Sequence, residues 1–432
     1  MGVSSEVTEV QESSINLDLQ MDKPSEPVGY KQTEVGTIPE DWDCSRIGAL
    51  GSNHAPAVKA GPFGSSLTKD QYVSDGFKVY GQEQVIRGDY LYGDYFISAK
   101  KFRELESCAV RPGDILLSLV GTIGKLLEIP KGAPPGVINP RLLRISLDRQ
   151  QVLPRFFKYL FESAQVQARL ERQAQGGTMG VLNAGVLRPF SIPLPPLFEQ
   201  HAIATALSDM DALLDSLDRL IAKKRDLKQA AMQQLLTGQT RLPGFEGEWE
   251  VKRLGELLSY EQPTEYLVSS SDYCDSNDLP VLTAGKTFIL GFTGESHGIY
   301  TKLPVIIFDD FTTASRYVTF RFKAKSSAMK LLTPQNTSDN CRLLYEIMQQ
   351  IDLQISEHKR HWISEYQKLE VRFPGSEEQT AIVSALSDMD NEISVLELRQ
   401  KKTSALKQAM MQELLTGRTR LITTIASSES AE

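Results

Sequence analysis

One stretch of sequence occurs twice and decides the fold. Residues 199–242 read EQHAIATALSDMDALLDSLDRLIAKKRDLKQAAMQQLLTGQTRL, and residues 378–421 read EQTAIVSALSDMDNEISVLELRQKKTSALKQAMMQELLTGRTRL. The two copies align at a constant offset of 179 without a gap, and 26 of the 48 positions from Pro195 to Leu242 are identical. Agreement at this level indicates a duplicated structural unit.

Each copy carries the pattern of a long helix with a narrow apolar seam. Apolar residues recur at alternating spacings of four and three, which is typical of a coiled-coil pair. From Glu199 to Leu236 such a helix would be about 57 Å long at about 1.5 Å per residue. We expect the two helices to pack antiparallel; the alternative is that each packs separately on its own domain. The seam consists of Ile203, Leu207, Met210, Leu214, Leu217, Ile221, Ile382, Leu386, Met389, Ile393 and Leu396.

The ends of these helices also carry recognisable signals. Ser376 is expected to cap the second helix, and Gly238 and Gly417 are expected to end the two helices in a left-handed conformation. The seam becomes polar at Lys228 and at its repeat partner Lys407. Leu227 and Leu406 shift the apolar stripe, so packing is predicted to be less regular there.

A fainter repeat opens each half of the chain. Residues 42–50 read WDCSRIGAL, and residues 249–257 read WEVKRLGEL. The bodies that follow, roughly 50–190 and 258–370, share little sequence, and both mix strand and helix patterns. The predicted fold class is α/β: two mixed α/β domains separated by a pair of long antiparallel helices (a coiled coil), with a pseudo-twofold internal repeat.

The domain boundaries follow from the repeats. We expect an acidic, disordered N-terminal tail at 1–29, domain 1 at 30–194, a central helical region at 195–242, domain 2 at 243–374, a second helical region at 375–421 and a tail at 422–432. Strands are predicted within 111–125, 137–146, 304–310 and 317–323. Helices are predicted at 154–173 and 342–354.

Composition limits the class of protein. The chain has 432 residues, of which 41% are hydrophobic and 24% charged, as in ordinary globular proteins. No apolar run is long enough for a membrane span, and the N-terminus does not resemble a signal peptide. The cysteines are far apart and predict isolated reduced thiols in a cytoplasmic protein rather than a metal cluster. They are Cys44, Cys108, Cys274 and Cys341.

The net charge of −8 is unevenly distributed. Residues 30–190 carry +4, whereas the N-terminal tail carries −5 and residues 243–374 carry −4. An acidic chain is a poor non-specific binder of nucleic acid, because phosphates require a broad positive field. A net charge of −8 is still compatible with a sequence-specific nucleic-acid-binding protein whose basic residues lie on one face.

Basic, amide and hydroxyl side chains cluster in the loops of both domains. These are the residue types that contact base edges and phosphates, although a solvated charged surface would look the same. The candidate DNA-binding residues of domain 1 are Lys59, Ser65, Ser66, Lys69, Gln82, Gln84, Arg87, Lys100, Lys101, Arg103 and Arg141. Those of domain 2 are Arg316, Tyr317, Arg321, Lys323, Lys325, Lys330, Lys359 and Arg360.

Catalytic motifs are incomplete. Residues 284–287 (AGKT) imitate the end of a P-loop, but Pro280 stands where that motif requires glycine. Residues 139–141 (NPR) only half-match a methyltransferase Asn-Pro-Pro motif. Asp309 and Asp310 could form a nuclease carboxylate pair, but a turn or capping role is favoured. His358 and His361 lack a third metal ligand, so the sequence predicts neither catalysis, nor a cofactor, nor a metal site.

The whole arrangement resembles the specificity subunit of type I restriction–modification systems, from about Gly29 to Leu421. The marks of the resemblance are the junction IPLPPLFEQ at 192–200, the duplicated EQ-x-A-I starts and LLTG-x-TRL endings, and the openings IPEDW at 38–42 and FEGEW at 245–249. Residues 304–330 also look like one subclass of the recognition domains of the family.

The resemblance implies a division of labour. Each variable domain would be a target recognition domain that binds one half of a bipartite, asymmetric DNA site. The paired helices would set the gap and dock two methyltransferase subunits, and restriction subunits would complete a nuclease. Double-stranded DNA and these subunits are then the expected partners, with no membrane. Two alternatives stay open: a self-sufficient DNA methyltransferase or nuclease, and a coiled-coil adaptor that binds only proteins.

Overall fold

A computed structural model describes residues 29–52, 55–119, 124–175, 182–285, 287–351 and 361–421. The chain divides into two compact units. Unit 1 runs to Asp211 and takes in the chain again from Ala405, and unit 2 comprises Ala212–Ser404. Each unit therefore combines one variable domain with parts of both long helices. Apart from Gly29, the predicted tails 1–29 and 422–432 lie outside the described residues.

Domain 1 is a mixed α/β body. Its strands are β1 Tyr30–Thr33, β2 Gly36–Pro39, β3 Asp43–Arg46, β4 Val58–Ala60, β5 Tyr72–Val73, β6 Phe77–Tyr80, β7 Phe96–Ile97, β8 Ala109–Val110, β9 Ile115–Ser118, β10 Leu126–Glu128, β11 Gly136–Ile138, β12 Leu142–Ile145 and β13 Ser191–Leu194. Its helices are α1 Gln82–Arg87, α2 Ala99–Glu104, α3 Pro154–Glu162, α4 Ala164–Gln175 and α5 Ala184–Leu187. The antiparallel main sheet has the order β10-β9-β12-β4, and a second sheet has the order β5-β7-β6-β11-β8 with β6 and β11 parallel.

The long helix α6 Leu197–Leu235 follows domain 1, and α10 Ser376–Leu414 follows domain 2. The strands of domain 2 are β14 Glu250–Arg253, β15 Leu258–Glu261, β16 Leu279–Leu282, β17 Ile289–Thr293, β18 Val305–Asp309, β19 Ser315–Val318, β20 Lys323–Ala324, β21 Met329–Pro334 and β22 Glu370–Phe373. Its helices are α7 Leu254–Leu257, α8 Cys341–Gln349 and α9 His361–Ser364. The antiparallel main sheet has the order β19-β18-β21-β15, and β17-β16-β20 form a second sheet with β16 and β20 parallel.

The two domains share one topology despite their different sequences. In chain order, the main sheet of domain 1 uses β4, β9, β10 and β12, and that of domain 2 uses β15, β18, β19 and β21 in the same spatial arrangement. The parallel pair of the second sheet also comes at equivalent places in chain order. Its first strand, β6 or β16, lies between the first and second strands of the main sheet, and its second strand, β11 or β20, lies between the third and fourth. A small antiparallel pair, β3–β13 or β14–β22, closes each domain. Two different sequences therefore form equivalent frames.

The long helices confirm the predicted repeat. Both have 39 residues, and Gly238 and Gly417 beyond their ends adopt left-handed φ values of 70° and 71°. In unit 1, residues of α6 and α10 enter the core of domain 1: Ile203, Leu207, Met411 and Leu414. In unit 2, the core of domain 2 takes in Met232, Leu235, Ile382 and Leu386. Each helix thus contributes one end to each core, which the alternative of separate packing did not foresee.

Three predicted elements are divided in the structure. The strand expected at 137–146 is two strands, because the side chain of Asn139 accepts the backbone N–H of Arg141 at 2.9 Å and forms a turn. The helix expected at 154–173 breaks at Ser163, whose extended backbone ends α3 and whose hydroxyl accepts the N–H of Val166. The strand expected at 317–323 is interrupted between β19 and β20. Local polar side chains thus interrupt patterns that look continuous.

Candidate nucleic-acid interface

Several loops of domain 1 converge at one edge of its main sheet. The turn before β12 is bonded to the loop after β4, since Gly61 N–H donates to the carbonyl of Leu142 at 3.0 Å. It is also bonded to the end of β6, since Asn139 N–H donates to Tyr80 at 2.8 Å, and to the end of β9, since Leu119 N–H donates to Arg141 at 3.1 Å. Loops from four parts of the domain therefore meet there. We call residues 61–66, 81–82, 125 and 139–141 the domain 1 edge.

The domain 1 edge presents cations and hydrogen-bonding groups to solvent. Ser65, Lys125 and Arg141 are exposed, and no acid of the described residues lies within 4.0 Å of either cation. Gln82 is half-buried, and its side-chain oxygen is itself buried and has no hydrogen-bond partner in the described part of the chain. The exposed cations and the Ser65 hydroxyl are free to contact an anionic, hydrogen-bonding ligand.

Domain 2 presents a similar edge built from different residues. Arg316 on β19 and Lys325 in the turn after β20 are exposed. The Arg316 guanidinium lies 5.9 Å from the ring centroid of Phe288, and that ring meets Phe320 edge-on at 6.3 Å. The Lys325 ammonium donates to the hydroxyl of Ser271 at 2.9 Å. We call residues 287–288, 310–316, 320–321 and 325–328 the domain 2 edge.

The cations of the two edges lie near the same turns of the shared topology. Arg141 and Lys325 lie in the turn that precedes the fourth strand of each main sheet. Lys125 and Arg316 follow the turn between the second and third strands. Lys125 was not among the predicted contacts. A signal was present in the sequence, because this lysine ends the glycine-rich stretch 121–125 behind a buried strand.

Two lysines of domain 2 that were predicted to contact DNA are buried. Lys323 is fully buried, and its ammonium lies 2.5 Å from a carboxylate oxygen of Glu295 and 2.9 Å from the carbonyl of His297. The hydrogen bond from Lys323 lowers the pKa of Glu295 to about 2. The Lys330 ammonium is also buried, 3.5 Å from the carboxylate of Asp310. A buried, paired lysine cannot reach a phosphate, so the structure removes both from the candidate interface.

Gln84 is a third correction. It is buried, its oxygen accepts the N–H of Gly81 at 2.9 Å, and its amide donates to the carbonyl of Tyr92 at 2.7 Å. These bonds shape the loop around α1 and leave no amide group for a base. The prediction counted a polar side chain without knowing whether the backbone would use it.

Apart from Ser66 and Arg321, which belong to the two edges, the other predicted contacts lie on separate elements or outside the described residues. Arg87 stacks on Tyr92 at 4.1 Å, Lys101 pairs with Glu104 at 3.1 Å, and Tyr317 packs 5.9 Å from Tyr345. Lys359 and Arg360, like His358, lie outside the described residues. The exposed or half-buried remainder consists of Lys59, Ser66, Lys69, Lys100, Arg103 and Arg321.

The aspartate pair has the capping role that the sequence favoured. The carboxylate of Asp309 accepts the N–H groups of Phe311 and Thr312 at 3.0 and 2.8 Å. Asp310 is buried and accepts the N–H of Trp362 at 2.9 Å. Both carboxylates therefore shape the turn after β18 and the start of α9.

A cluster of tryptophan, glutamate and arginine fixes the helix ends in each unit. In unit 1, the Glu199 carboxylate at the start of α6 accepts the indole N–H of Trp42 at 2.9 Å. It also accepts two bonds from the Arg420 guanidinium beyond the end of α10, at 2.6 and 2.7 Å. Arg420 bonds Asp41 as well, at 2.7 and 2.9 Å, and this contact lowers the pKa of Asp41. We call this cluster clamp 1.

Unit 2 contains the repeat-related clamp 2. Glu378 at the start of α10 accepts the indole N–H of Trp249 at 2.9 Å and two bonds from Arg241 at 2.5 and 2.6 Å. The sequence showed these residues as identical in both repeats, but it did not show that they contact one another. The identity of the Trp, the EQ start and the TRL ending in both copies was the signal.

Polar pairs also connect the two helices within each unit. In unit 1, Lys407 of α10 pairs with Asp211 of α6. In unit 2, the repeat partners Lys228 and Asp390 pair in the same way. Further pairs in unit 2 join Lys224 to Glu392 and Arg225 to Glu397. In unit 2 the partners run in opposite directions along the two helices, and in unit 1 Glu199 and Asp211 contact Arg420 and Lys407 in the same opposed order, which confirms the predicted antiparallel contact.

The seam residues agree with this contact. Ile203, Leu207, Leu217, Ile221, Ile382, Leu386 and Ile393 are buried, and Met210, Leu214, Met389 and Leu396 are half-buried. The described residues include no helix long and apolar enough to cross a membrane.

Two topologically equivalent α/β domains, each clamped to segments of the same duplicated helices, define a class of internally repeated recognition proteins.

Comparison with known proteins identifies the family. The sequence profile of the type I restriction modification DNA specificity domain matches residues 61–223 and 246–407. The chain belongs to this family and carries two copies of its domain. Its relatives are specificity subunits, which are non-catalytic recognition chains, and this chain is one of that kind.

The relatives differ in how much of the chain they cover. The EcoR124I/EcoR124II specificity subunit of Escherichia coli is 54% identical over 140 residues, which is 31% of this chain and 34% of that protein. The putative MjaX specificity subunit of Methanocaldococcus jannaschii is 22% identical over 430 residues, 91% of this chain and 97% of that protein. The higher identity therefore covers about a third of each chain, and the lower identity extends over nearly the whole of both.

Solved structures show the same fold. The HsdS subunit of Thermoanaerobacter tengcongensis has a TM-score of 0.51 at 17% identity, covering 88% of this chain and 98% of that chain. A chain from a study of assembly and conformational transition of the type I system has a TM-score of 0.56 at 17% identity, covering 88% and 99%. These structures confirm the predicted fold class.

Proposed function

We propose that this specificity subunit recognises a DNA site in two halves, with domain 1 contacting one half and domain 2 the other. The observation that supports this most directly is that Arg141 and Lys325 both precede the fourth strand of the main sheet, and that Lys125 and Arg316 both lie at the start of the third. Two domains that share little sequence thus carry exposed cations near the same two turns of one frame.

The chemistry of the edges fits the two tasks of DNA recognition. Exposed lysines and arginines neutralise phosphates, and amide or hydroxyl groups such as those of Gln82 and Ser65 bond base edges. Domain 2 is net acidic, so its attraction for DNA depends on the local cluster of Arg316, Arg321 and Lys325. We expect the salt dependence of its binding to decrease with each of these cations that is removed.

The test uses the chain in complex with its methyltransferase subunits. Genome-wide mapping of methylated bases after co-expression gives both half-sites and the gap. Duplexes with one half-site scrambled then separate the domains. We expect Lys125→Ala with Arg141→Ala to lower affinity about tenfold only where half-site 1 is intact, and Arg316→Ala with Lys325→Ala only where half-site 2 is intact.

The matched control removes the same number of charges from the helices. Lys223→Ala with Lys402→Ala changes two exposed, repeat-related lysines, and we expect affinity for both duplexes to stay within twofold of the wild type. Equal losses at both half-sites would contradict the domain assignment. Methylation of DNA by the purified single chain with S-adenosylmethionine would favour the enzyme alternative, and absence of sequence-selective binding by the complex would favour the protein-only adaptor.

We further propose that the helices set the gap between the half-sites. A helical rod has a fixed rise of about 1.5 Å per residue, so four residues inserted into both helices add about 6 Å, close to two base pairs. Methylation mapping of the double-insertion variant should show a longer gap with unchanged half-sites. A gap of the original length would contradict this role.

Two methyltransferase subunits are proposed to dock on the helices, and restriction subunits to join the complex. Leu227 and Leu406 support a pair of equivalent sites, because they are exposed apolar residues at the same position of the repeat. Native mass spectrometry of Leu227→Asp and Leu406→Asp should each show one bound methyltransferase instead of two. Retention of two in both variants would exclude this surface.

A further inference from the structure

Phe63 is a large apolar side chain that is largely exposed to solvent. It is 86% exposed, more than the other exposed large hydrophobic residues of the described chain. A single exposed apolar residue on a surface needs no explanation by itself. Phe63 differs from such residues in two respects, which are the rigidity of its loop and the character of its neighbours.

The backbone around Phe63 is held in place. Gly61 N–H donates to the carbonyl of Leu142 at 3.0 Å, and the carbonyl of Phe63 accepts the N–H of Ser66 at 2.7 Å. A Cβ at Gly61 would lie 1.9 Å from the carbonyl oxygen of Asn139, so the loop is pressed directly against that turn. Pro62 between them is buried and has a restricted φ. These contacts fix the backbone from which the Phe63 side chain projects.

The neighbours of Phe63 are groups that suit DNA. The loop lies against the Asn139–Arg141 turn, which carries an exposed cation, and Ser65 in the same loop is exposed. Another exposed apolar residue of domain 1, Leu91, makes an instructive contrast, because Asp89 and Asp94 lie within three residues of it. Phosphates would be repelled from Leu91 and attracted to the loop of Phe63.

We infer that Phe63 determines specificity by making an apolar contact with a base pair of half-site 1, an inference that rests on the proposed function. The ring has no hydrogen-bonding group, so it can contact the C5-methyl of a thymine or enter between two base pairs and unstack them. Both modes favour particular bases without a polar contact. The cations beside the ring position the backbone, and the ring adds selectivity.

Methylation mapping with the complete methyltransferase complex tests this inference. We compare Phe63→Ala, the partly conservative Phe63→Leu, the control Leu91→Ala and the domain 2 variant Arg316→Ala. Phe63→Ala should relax one or two adjacent base pairs of half-site 1, with discrimination there falling about tenfold, and leave half-site 2 unchanged. Phe63→Leu should keep part of the selectivity, and Leu91→Ala should match the wild type.

Two duplex measurements separate the modes of contact. Replacing thymine by deoxyuridine at the relaxed position should weaken wild-type binding, but not binding of Phe63→Ala, when the methyl group is the contact. A rise in 2-aminopurine fluorescence at that step, with wild type only, indicates unstacking. Either result supports the inference. If Phe63→Ala keeps both the effect of deoxyuridine on binding and the rise in 2-aminopurine fluorescence, the inference is overturned.

The outcomes also distinguish this inference from the proposed function. A uniform fall in methylation with an unchanged motif would show that Phe63 is only structural, and an unchanged motif at full activity would show that it is not a contact. If Arg316→Ala weakens recognition of half-site 2 while Phe63→Ala changes nothing, the inference alone fails. If no variant in either domain affects recognition, the proposed function fails as well.

Discussion

The two domains have the same frame but stabilise it with different buried charges. Domain 1 buries Arg144 beside Asp114, at 3.8 Å, and holds the Lys78 ammonium with the carbonyls of Leu91 and Gly93. Domain 2 buries Lys323 against Glu295 instead. The strand order is thus compatible with different polar interiors. What both units keep is the clamp, which teaches that the repeat preserves the attachment of the domains and leaves their contents free to change.

The largest expected effect concerns the clamps, which differ in burial and in partners. Glu199 is fully buried and bonds a largely buried Arg420, whereas Arg241 in clamp 2 is more exposed and bonds no carboxylate other than Glu378 among the described residues. Glu199→Gln leaves a guanidinium without its main counter-charge, which should lower the free energy of unfolding of unit 1 by about 3 kcal/mol. Glu378→Gln should have a smaller effect on unit 2.

Calorimetry combined with hydrogen exchange measures the two units separately. Glu377→Gln is the matched control, because it changes an exposed glutamate next to Glu378. We expect little change from it. If Glu378→Gln lowers the free energy of unfolding as much as Glu199→Gln or more, burial does not explain the difference between the two clamps.

An intermediate effect follows from the Lys323–Glu295 ion pair of domain 2. The pKa of Glu295 is lowered from its ordinary value of 4.5 to about 2, chiefly by the hydrogen bond from Lys323. A depressed carboxyl pKa stabilises the folded state above the unfolded value, and this contribution is lost as pH falls from 4.5 towards 2. Denaturant unfolding of unit 2 should therefore become steeply pH-dependent below pH 4.5.

Glu295→Gln removes the titrating group and should flatten this part of the pH profile. The Lys78 site provides the contrast, since its ammonium is bonded by carbonyls that do not titrate. An unchanged slope in Glu295→Gln would assign the acid sensitivity to other carboxylates.

The smallest effect is expected at the equivalent helix pairs. Asp211 accepts the Lys407 ammonium and the Tyr159 hydroxyl, and Asp390 pairs with Lys228 and lies 3.6 Å from Arg342. Both aspartates are partly exposed, so Asp211→Asn and Asp390→Asn should each cost up to about 1 kcal/mol in unfolding free energy.

The exposed aspartates two residues earlier in the repeat, Asp209 and Asp388, are the matched controls. Their Asn variants should be near neutral in thermal unfolding. A charge-swapped pair at positions 211 and 407 should recover most of the loss. Failure to recover it would mean that the interaction with Tyr159, rather than the ion pair, carries the effect.

Sequence reasoning was most successful where structure is local. The helix bounds fell within two residues of α6 and α10, because seam spacing and the glycine caps act over a few residues. It was least successful for Lys323, Lys330 and Gln84, whose burial depends on strands far apart in sequence. The sequence of a strand does not show which of its faces other elements cover. Counting lysines by charge alone therefore placed too many of them in the candidate interface.

By itself, the sequence determined the duplication, the two helices with their ends, and the resemblance to type I specificity subunits, because repeats, periodicity and caps are properties of neighbouring residues. The tertiary structure decided that two dissimilar domains share a strand order. It also decided that Glu199 meets Arg420, 221 residues later, and that Phe63 projects from a loop packed against the turn at Asn139. These depend on strand pairing and burial, where the free energy of a contact is set by groups that the chain brings together only on folding.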